Sequence, residues 1–310
     1  MELEGLYSSP SSYDILEFYE QAASINNVVA FSRLRQRAIL RMSTVEENRD
    51  ASVAVIVPTR DATSRSARSV SAIFRPAKLY FVESSGKFFN YATSMNAGIR
   101  EALKNNPEWI VISNDDVYEV DRFDSFMKAL LAEKDADVVM ASPGYIYNVW
   151  HHSIQFFIFL QKSTSFSQVV DIVTWKSKWP NILKIQNQFE IKLRALDDFP
   201  FRKDLKYPIN LSLRRLVKIY GSKESFYNFG DFCAFRSGLF QKYKFDELYI
   251  NGTEDIDLSL SLARNNVQIQ ISDFKIGSNV GKSLGISVNR YLRNILNDMV
   301  FSYKFLPYYS

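Results

Sequence analysis

Two acidic clusters, Asn114-Asp115-Asp116 and Thr253-Glu254-Asp255, carry the residue types best suited to chemistry in this chain. Carboxylate oxygens are hard ligands, so one cluster could hold a divalent cation while the other supplies a base for a hydroxyl proton. Together the two jobs describe a metal-assisted group transfer. Each cluster has to be placed by its neighbours. Trp109-Ile110-Val111-Ile112 has the length and apolarity of a buried strand, so Asp115 and Asp116 are expected at its C-terminal end, where α/β sheets place their ligands. After the second cluster Ile256, Leu260 and Ala263 recur at helical spacing, which puts Glu254 and Asp255 at a helix N-terminus. Taken singly, an Asp-Asp after a strand is explained by a solvated turn, and Glu-Asp at a helix start by the helix dipole. The elements around them decide.

Val53-Ala54-Val55-Ile56-Val57 predicts a strand closed by Pro58-Thr59-Arg60, and Lys78-Leu79-Tyr80-Phe81-Val82 predicts a second ending at Glu83-Ser84-Ser85-Gly86. One short helical stretch lies between them. Ala92, Met95, Ile99, Ala102 and Leu103 mark the next helix. Phe123, Phe126, Met127, Leu130 and Leu131 predict a helix over Val120–Leu131, which runs into the strand Val138-Val139-Met140. This alternation implies an α/β fold with a largely parallel sheet covered on both faces. Residues 11–47 read as helical, with Ile15, Leu16, Tyr19, Ala22 and Ala23 as an apolar stripe and Arg33, Arg35, Arg37 and Arg41 as a solvated face. Residues 1–50 are therefore expected to form a helical N-terminal extension.

Composition removes several function classes. Lys and Arg number 38 against 34 Asp and Glu, a net charge of +4, too mild to demand nucleic acid as a partner but compatible with an anionic substrate or membrane face. A single cysteine, Cys233, excludes an intramolecular disulfide framework and a Cys-based zinc cluster, and is expected as a small buried apolar residue in a reducing, cytoplasmic setting. The two histidines, His151 and His152, give no sign of a nucleophile–base pair. Neither GxGxxG nor a Gly-x-x-x-x-Gly-Lys-Ser/Thr loop is present, which argues against a dinucleotide-dependent oxidoreductase and a P-loop NTPase. Met1-Glu2-Leu3-Glu4 is acidic rather than a secretory signal, and the longest apolar run, Phe156 to Leu160, is far below the ~20 residues of a membrane span. A soluble or peripheral protein is expected.

Four blocks in order carry a family resemblance: Val55-Ile56-Val57-Pro58-Thr59-Arg60, Asn96-Ala97-Gly98-Ile99-Arg100, Asn114-Asp115-Asp116-Val117, and Gly230-Asp231-Phe232 through Phe245-Asp246-Glu247 to Thr253-Glu254-Asp255-Ile256-Asp257-Leu258. They resemble the family-2-type, inverting nucleotide-sugar glycosyltransferases of GT-A fold, over roughly residues 52–285. The resemblance implies a Rossmann-like GT-A domain over 51–285, with 145–228 as a variable acceptor-side insertion and 286–310 as a tail. It implies that Pro58, Thr59, Arg60, Glu83, Asn96 and Asp115 contact a nucleoside-diphosphate sugar, Glu83 at the nucleobase. It further implies that Asp116, with Asp115 nearby or through water, holds Mn2+ or Mg2+. Asp255 would be the base, with Glu254 orienting the acceptor or the base. The acceptor would be a carbohydrate, lipid-linked or protein hydroxyl.

There are departures. The histidine expected after the acidic helix is missing from Lys275-Ile276-Gly277-Ser278-Asn279-Val280-Gly281-Lys282-Ser283, which implies either weaker metal binding or diphosphate contacts by Lys275 or Lys282, and the family's arginine is Ser261, with Arg264 one turn on. No Gln-x-x-Arg-Trp motif occurs, which points to transfer of a single sugar. Two alternatives stay open. One is a nucleotidyltransferase, although Pro58-Thr59-Arg60-Asp61-Ala62 lacks the glycines of that class; the other is an inactive sugar- or lipid-binding module. The insertion mixes aromatic and basic residues (Tyr145, Tyr147, Trp150, Phe156, Phe157, Trp175, Trp179, Arg202, Arg214, Arg215) that could stack on sugars, meet lipid phosphates or pack internally. The tail from Tyr291-Leu292-Arg293 to Tyr308-Tyr309-Ser310 could pack on the core, mediate homodimerisation or touch a membrane.

Overall fold

Runs of β-branched and aromatic residues that are apolar on both sides need cover on both sides, and here they supply the centre of a sheet. The computed structural model describes residues 12–22, 24–45, 50–86, 88–141, 149–151, 225–227, 229, 231–279, 288–305 and 307. In chain order these form α1 (Ser12–Ala22), α2 (Ile25–Leu34), β1 (Arg41–Val45), β2 (Asp50–Thr59), α3 (Arg65–Ile73), β3 (Ala77–Glu83), α4 (Tyr91–Leu103), β4 (Trp109–Ser113), β5 (Val117–Glu119) and α5 (Phe123–Ala132). They continue with β6 (Val138–Met140), β7 (Val149–His151), β8 (Ser225–Tyr227), β9 (Phe232–Arg236), α6 (Glu254–Ala263), β10 (Ile269–Ile271), β11 (Ile276–Ser278) and α7 (Val288–Phe305).

Seven strands make one sheet in the order β1-β3-β2-β4-β9-β6-β10. Strands β3, β2, β4, β6 and β10 run one way, and β1 and β9 run against them. The sheet is thus mostly parallel in strand direction and mixed in pairing, because β9 separates β4 from β6. Strand β2 alternates its side chains between two cores. Val53, Val55 and Val57 face α3 and α5 with an aromatic cluster of Phe74, Phe123, Phe126, Phe232 and Phe274. Ala54 and Ile56 face α4 and α6 with Met95, Ile99, Leu258 and Leu262. The architecture is α/β with helices on both faces, compatible with a Rossmann-like fold.

Two expectations are corrected. The helical reading of residues 11–47 stops at Leu34: Arg41-Met42-Ser43-Thr44-Val45 is a strand, paired antiparallel with β3 from Arg41 opposite Glu83 to Val45 opposite Leu79. The open edge of β3 offers unpaired backbone groups, and pairing with it outweighs the local helical pattern. The arginines also part company. Arg33 is exposed, Arg41 is exposed but lies 3.5 Å from Glu83, Arg37 is half-buried, and Arg35 is only 5% exposed. The C-terminal α7 packs on α1 and α2, burying Leu296, Met299, Val300 and Phe301 beside Ile15, Tyr19, Val28 and Phe31.

Of the insertion, Tyr145, Tyr147, His152, Phe156, Phe157, Trp175, Trp179, Arg202, Arg214 and Arg215 lie outside the described residues, as do Lys282, Ser283 and Tyr308-Tyr309-Ser310. Trp150 and His151 are described only as members of β7, which pairs antiparallel with β8. Cys233 is buried in β9, as its reading as an apolar residue anticipates. Among the described residues no helix is long and apolar enough to cross a membrane.

Gly98 sets the distance between α4 and the sheet. A Cβ there would lie 2.3 Å from Ile56 Cγ2 and 2.9 Å from Val82 Cγ2, well inside van der Waals contact. Gly98→Ala is therefore expected to destabilise the fold by about 1–3 kcal/mol through overpacking. Chemical denaturation reads this as a lower midpoint.

Candidate active site

The C-terminal ends of β2 and β4 are neighbours in a parallel pair, so whatever follows each strand meets at one edge of the sheet. Thr59, the last residue of β2, donates its hydroxyl to Asp115 Oδ2 at 2.8 Å. Pro58 is tolerated just before it. Thr59 directs its carbonyl to Ser84 N–H on the β3 side, so the missing donor of Pro58 faces the β4 side, beyond the last pair Ile56–Ile112. The chain then turns. Asp61 Oδ1 accepts from Thr63 N–H and Oγ1 at 2.7 Å each, bonds that hold its carboxyl below the usual range, and Ser64 caps α3 by accepting from Ala67 N–H.

Glu83 closes β3 beside this turn, accepting from Ala62 N–H at 2.8 Å. Arg60, Asp61, Glu83 and Ser84 line an open cleft of about 660 Å3, and the segment from Gln36 to Arg41 forms part of its lining. Three residues singled out from sequence thus sit together: Thr59 and Glu83 at the ends of adjacent strands and Arg60 in the lining. Ser84 is 6% exposed, and its hydroxyl has no hydrogen-bond partner among the described residues. Asn96 belongs elsewhere. Its Nδ2 donates to Phe245 O and Glu247 Oε1 at 2.9 Å each, and its Oδ1 accepts from Phe245 N–H at 3.1 Å. With both amide hydrogens committed, Asn96 anchors the loop before α6.

Asp116 sits in the turn after β4, where burial pushes its carboxyl up and the charges of Asp231 and Asp115 add to the shift. Its Oδ1 is buried without a hydrogen-bond partner among the described residues. This is uncompensated negative charge, which a cation relieves. Among the described residues no group of three or more His, Cys, Asp or Glu side chains stands ready to hold a metal ion. The pair fits a hard ion of the Mg2+ type, which keeps several waters and takes one or two carboxylates plus substrate phosphates. Where the family's histidine was expected, β11 pairs antiparallel with β5 and brings Asn279 to this turn; its backbone N–H donates to Asp116 O at 3.1 Å and its side-chain amide at 3.3 Å. Lys275 is exposed, with its N–H given to Asp121 Oδ2.

Glu254 and Asp255 open α6 as their spacing required. Ahead of them Asn251 (φ 50°) and Thr253 (φ 77°) both occupy the left-handed region, a strained choice above all for a β-branched residue. The turn lets Gly252 N–H reach Glu254 Oε2 at 2.6 Å. Glu254 is 5% exposed, and burial, with Asp255 adding to it, pushes its carboxyl up to about 7. That displacement is worth about 3 kcal/mol, several times the ~0.3–1 kcal/mol by which a helix N-terminus favours a carboxylate. Burial wins.

The two acidic clusters share an electrostatic neighbourhood. Asp231, just before β9, raises Asp116 and accepts from Asn114 Nδ2 at 3.0 Å. Tyr91, which opens α4, is held well above the usual phenol range by burial first and then by Glu254, Asp255 and Asp231. Asp231 and Tyr91 therefore join Asp115 and Asp116 to Glu254 and Asp255, and neither had been given a role from sequence. Asp231 stood inside a quoted block; Tyr91 carried no local signal.

Glu254 yields a pH prediction. A carboxyl raised in the folded state binds its proton more tightly there than in the unfolded chain, so its contribution to stability is full below pH ~4.3 and is lost as pH rises through about 7. Glu254→Gln, which cannot ionise, should unfold at a higher temperature than the parent at pH 8. The gap, on the order of 3 kcal/mol at most, should close towards pH 5 in a thermal-melt series. No family model matches this chain, and no curated protein matches it in sequence.

Proposed function

We propose that the protein is an inverting, non-processive glycosyltransferase of GT-A type, which moves one sugar from a nucleoside-diphosphate donor to an acceptor hydroxyl. The observation that carries this reading is the convergence of Asp115 and Asp116 with Glu254 and Asp255, through Asp231 and Tyr91, at the strand ends beside the cleft of Arg60 and Glu83. The nucleoside would occupy that cleft, leaving the sugar between the two acidic groups.

Asp255 takes the proton of the acceptor hydroxyl while that oxygen attacks the anomeric carbon opposite the diphosphate, whose bond to the sugar breaks. Glu254, neutral in half the molecules near pH 7, spares Asp255 a full like charge alongside. Asp116 and Asp115 would hold a divalent cation, Mg2+ or Mn2+, which when bound neutralises the charge developing on the leaving diphosphate. Thr59 fixes Asp115 from the neighbouring strand.

The test is a panel of nucleotide sugars, with and without Mn2+ or Mg2+, assayed for released nucleoside diphosphate. One donor should be hydrolysed slowly in a metal-dependent manner, and Asp116→Ala should lower this by about tenfold or more. With the acceptor in hand, Asp255→Asn should leave donor binding intact and cut transfer by about 100-fold or more. If no donor binds or turns over with any metal, the reading fails.

A further inference from the structure

The segment from Phe245 to Thr253, which delivers Glu254 and Asp255, is irregular yet half-buried: Phe245 and Tyr249 are fully enclosed, and Ile250 is nearly so. Buried backbone outside regular structure must find partners other than water. Several come from the N-terminal extension. Arg35, at the end of α2, donates from Nη2 to Glu247 O at 3.3 Å and to Tyr249 O. Arg37 donates to the same Glu247 carbonyl at 2.7 Å and turns back to Arg35 O at 2.7 Å.

Arg35 differs from the neutral clamps. Asn90, Asn96 and Asn297 also hold this segment, but they are neutral. Arg35 brings a guanidinium, which stays charged at any working pH. The charged and titratable groups that act on Glu254 are Asp255 on its own helix, Tyr91 on α4, and Arg35 from α2; among these Arg35 alone is a cation.

We infer that Arg35 is a positioning residue for the acceptor side of the site, holding the Glu247–Tyr249 backbone that aims Glu254 and Asp255 and balancing the negative charge of Glu254. The N-terminal extension is then part of the catalytic apparatus. The transfer half of this inference rests on the glycosyltransferase reading; the charge balance does not.

The test uses the full chain with Arg35→Met, Arg35→Lys and, as a neighbour control, Arg37→Met. In the first arm the ionisation of Glu254 is followed by carboxyl carbon NMR, assigned by loss of the signal in Glu254→Gln. Arg35→Met should move its midpoint up by about half a pH unit or more, Arg35→Lys should restore most of the shift, and Arg37→Met should leave it near the parent value. An unmoved midpoint in Arg35→Met overturns the charge-balancing role. If Arg35→Met does not fold, Arg35→Gln replaces it with the same expected direction. In the second arm, kcat for transfer should fall by about tenfold or more in Arg35→Met while KM for the donor stays within about twofold. An equal loss in kcat and donor affinity, or no loss of kcat, overturns the positioning role. A parent protein that turns over no donor sinks the glycosyltransferase reading instead, and the NMR arm still decides whether Arg35 balances Glu254.

Discussion

A loop with few regular hydrogen bonds can be buried only if side chains satisfy its backbone, and the segment between β9 and α6 depends on that constraint. Asn96 holds Phe245 at both its N–H and carbonyl, Arg35 and Asn90 share Tyr249 O, and Asn297 brackets Ile250 through its N–H at 2.7 Å and its carbonyl at 2.9 Å. Below them Tyr249 donates its hydroxyl to Asp257 at 2.6 Å, and Lys304 spans Asp257 and Asp246. Asp257 is itself pushed up by burial, against the pull of Lys304. The clamps come from three elements or their caps: Arg35 from α2, Asn90 and Asn96 from α4, Asn297 and Lys304 from α7. The left-handed turn at Asn251 and Thr253 persists because both sides of it are tied down, Asn251 taking Tyr91 N–H and giving its amide to Phe89 O.

This explains why the helices outside the sheet matter to its chemistry. They do not line the cleft as a body, yet they set where α6 begins and hence where Glu254 and Asp255 stand. The sheet fixes the other half by simpler means: β2 and β4 run parallel with Ile56 opposite Ile112, so three residues further on Thr59 and Asp115 meet without any special loop. One half of the site is delivered by register and the other by polar clamps. The two differ in tolerance, since register survives most surface changes and a clamp fails with one side chain.

Much of this could be read from the sequence, and the parts that could not have a common cause. Strands β2, β3 and β4 were legible because burial on both faces leaves uninterrupted apolar runs, and Asp115 and Asp116 followed from their place at the end of one such run. Helix α6 was legible from Ile256 and Leu260. Strand β1 was not, because Arg41 and Ser43-Thr44 mark an edge strand with little to bury, and its pairing with β3 is a non-local choice. The same holds for the reversed direction of β9, which depends on the order of strands rather than on the residues within one. Asn90 reads as an ordinary helix cap, which it also is, accepting from Thr93 N–H at 2.7 Å. Nothing near it in the chain announces that its amide is spent on Tyr249. Asp231 and Tyr91 were missed in the same way, each gaining its meaning from a neighbour far along the chain.

Strand β1 also governs how the molecule meets its own copies. Without it, β3 would present a seven-residue edge of unpaired backbone, five of whose side chains are buried and apolar, a template for sheet-to-sheet association. Five largely polar residues, led by an exposed arginine, stand there instead, and the opposite edge is a strand of only three. Shortening the chain from its N-terminus past Val45 would therefore do more than remove helices. It would uncover a sticky margin beside the cleft, and such a fragment is expected to aggregate.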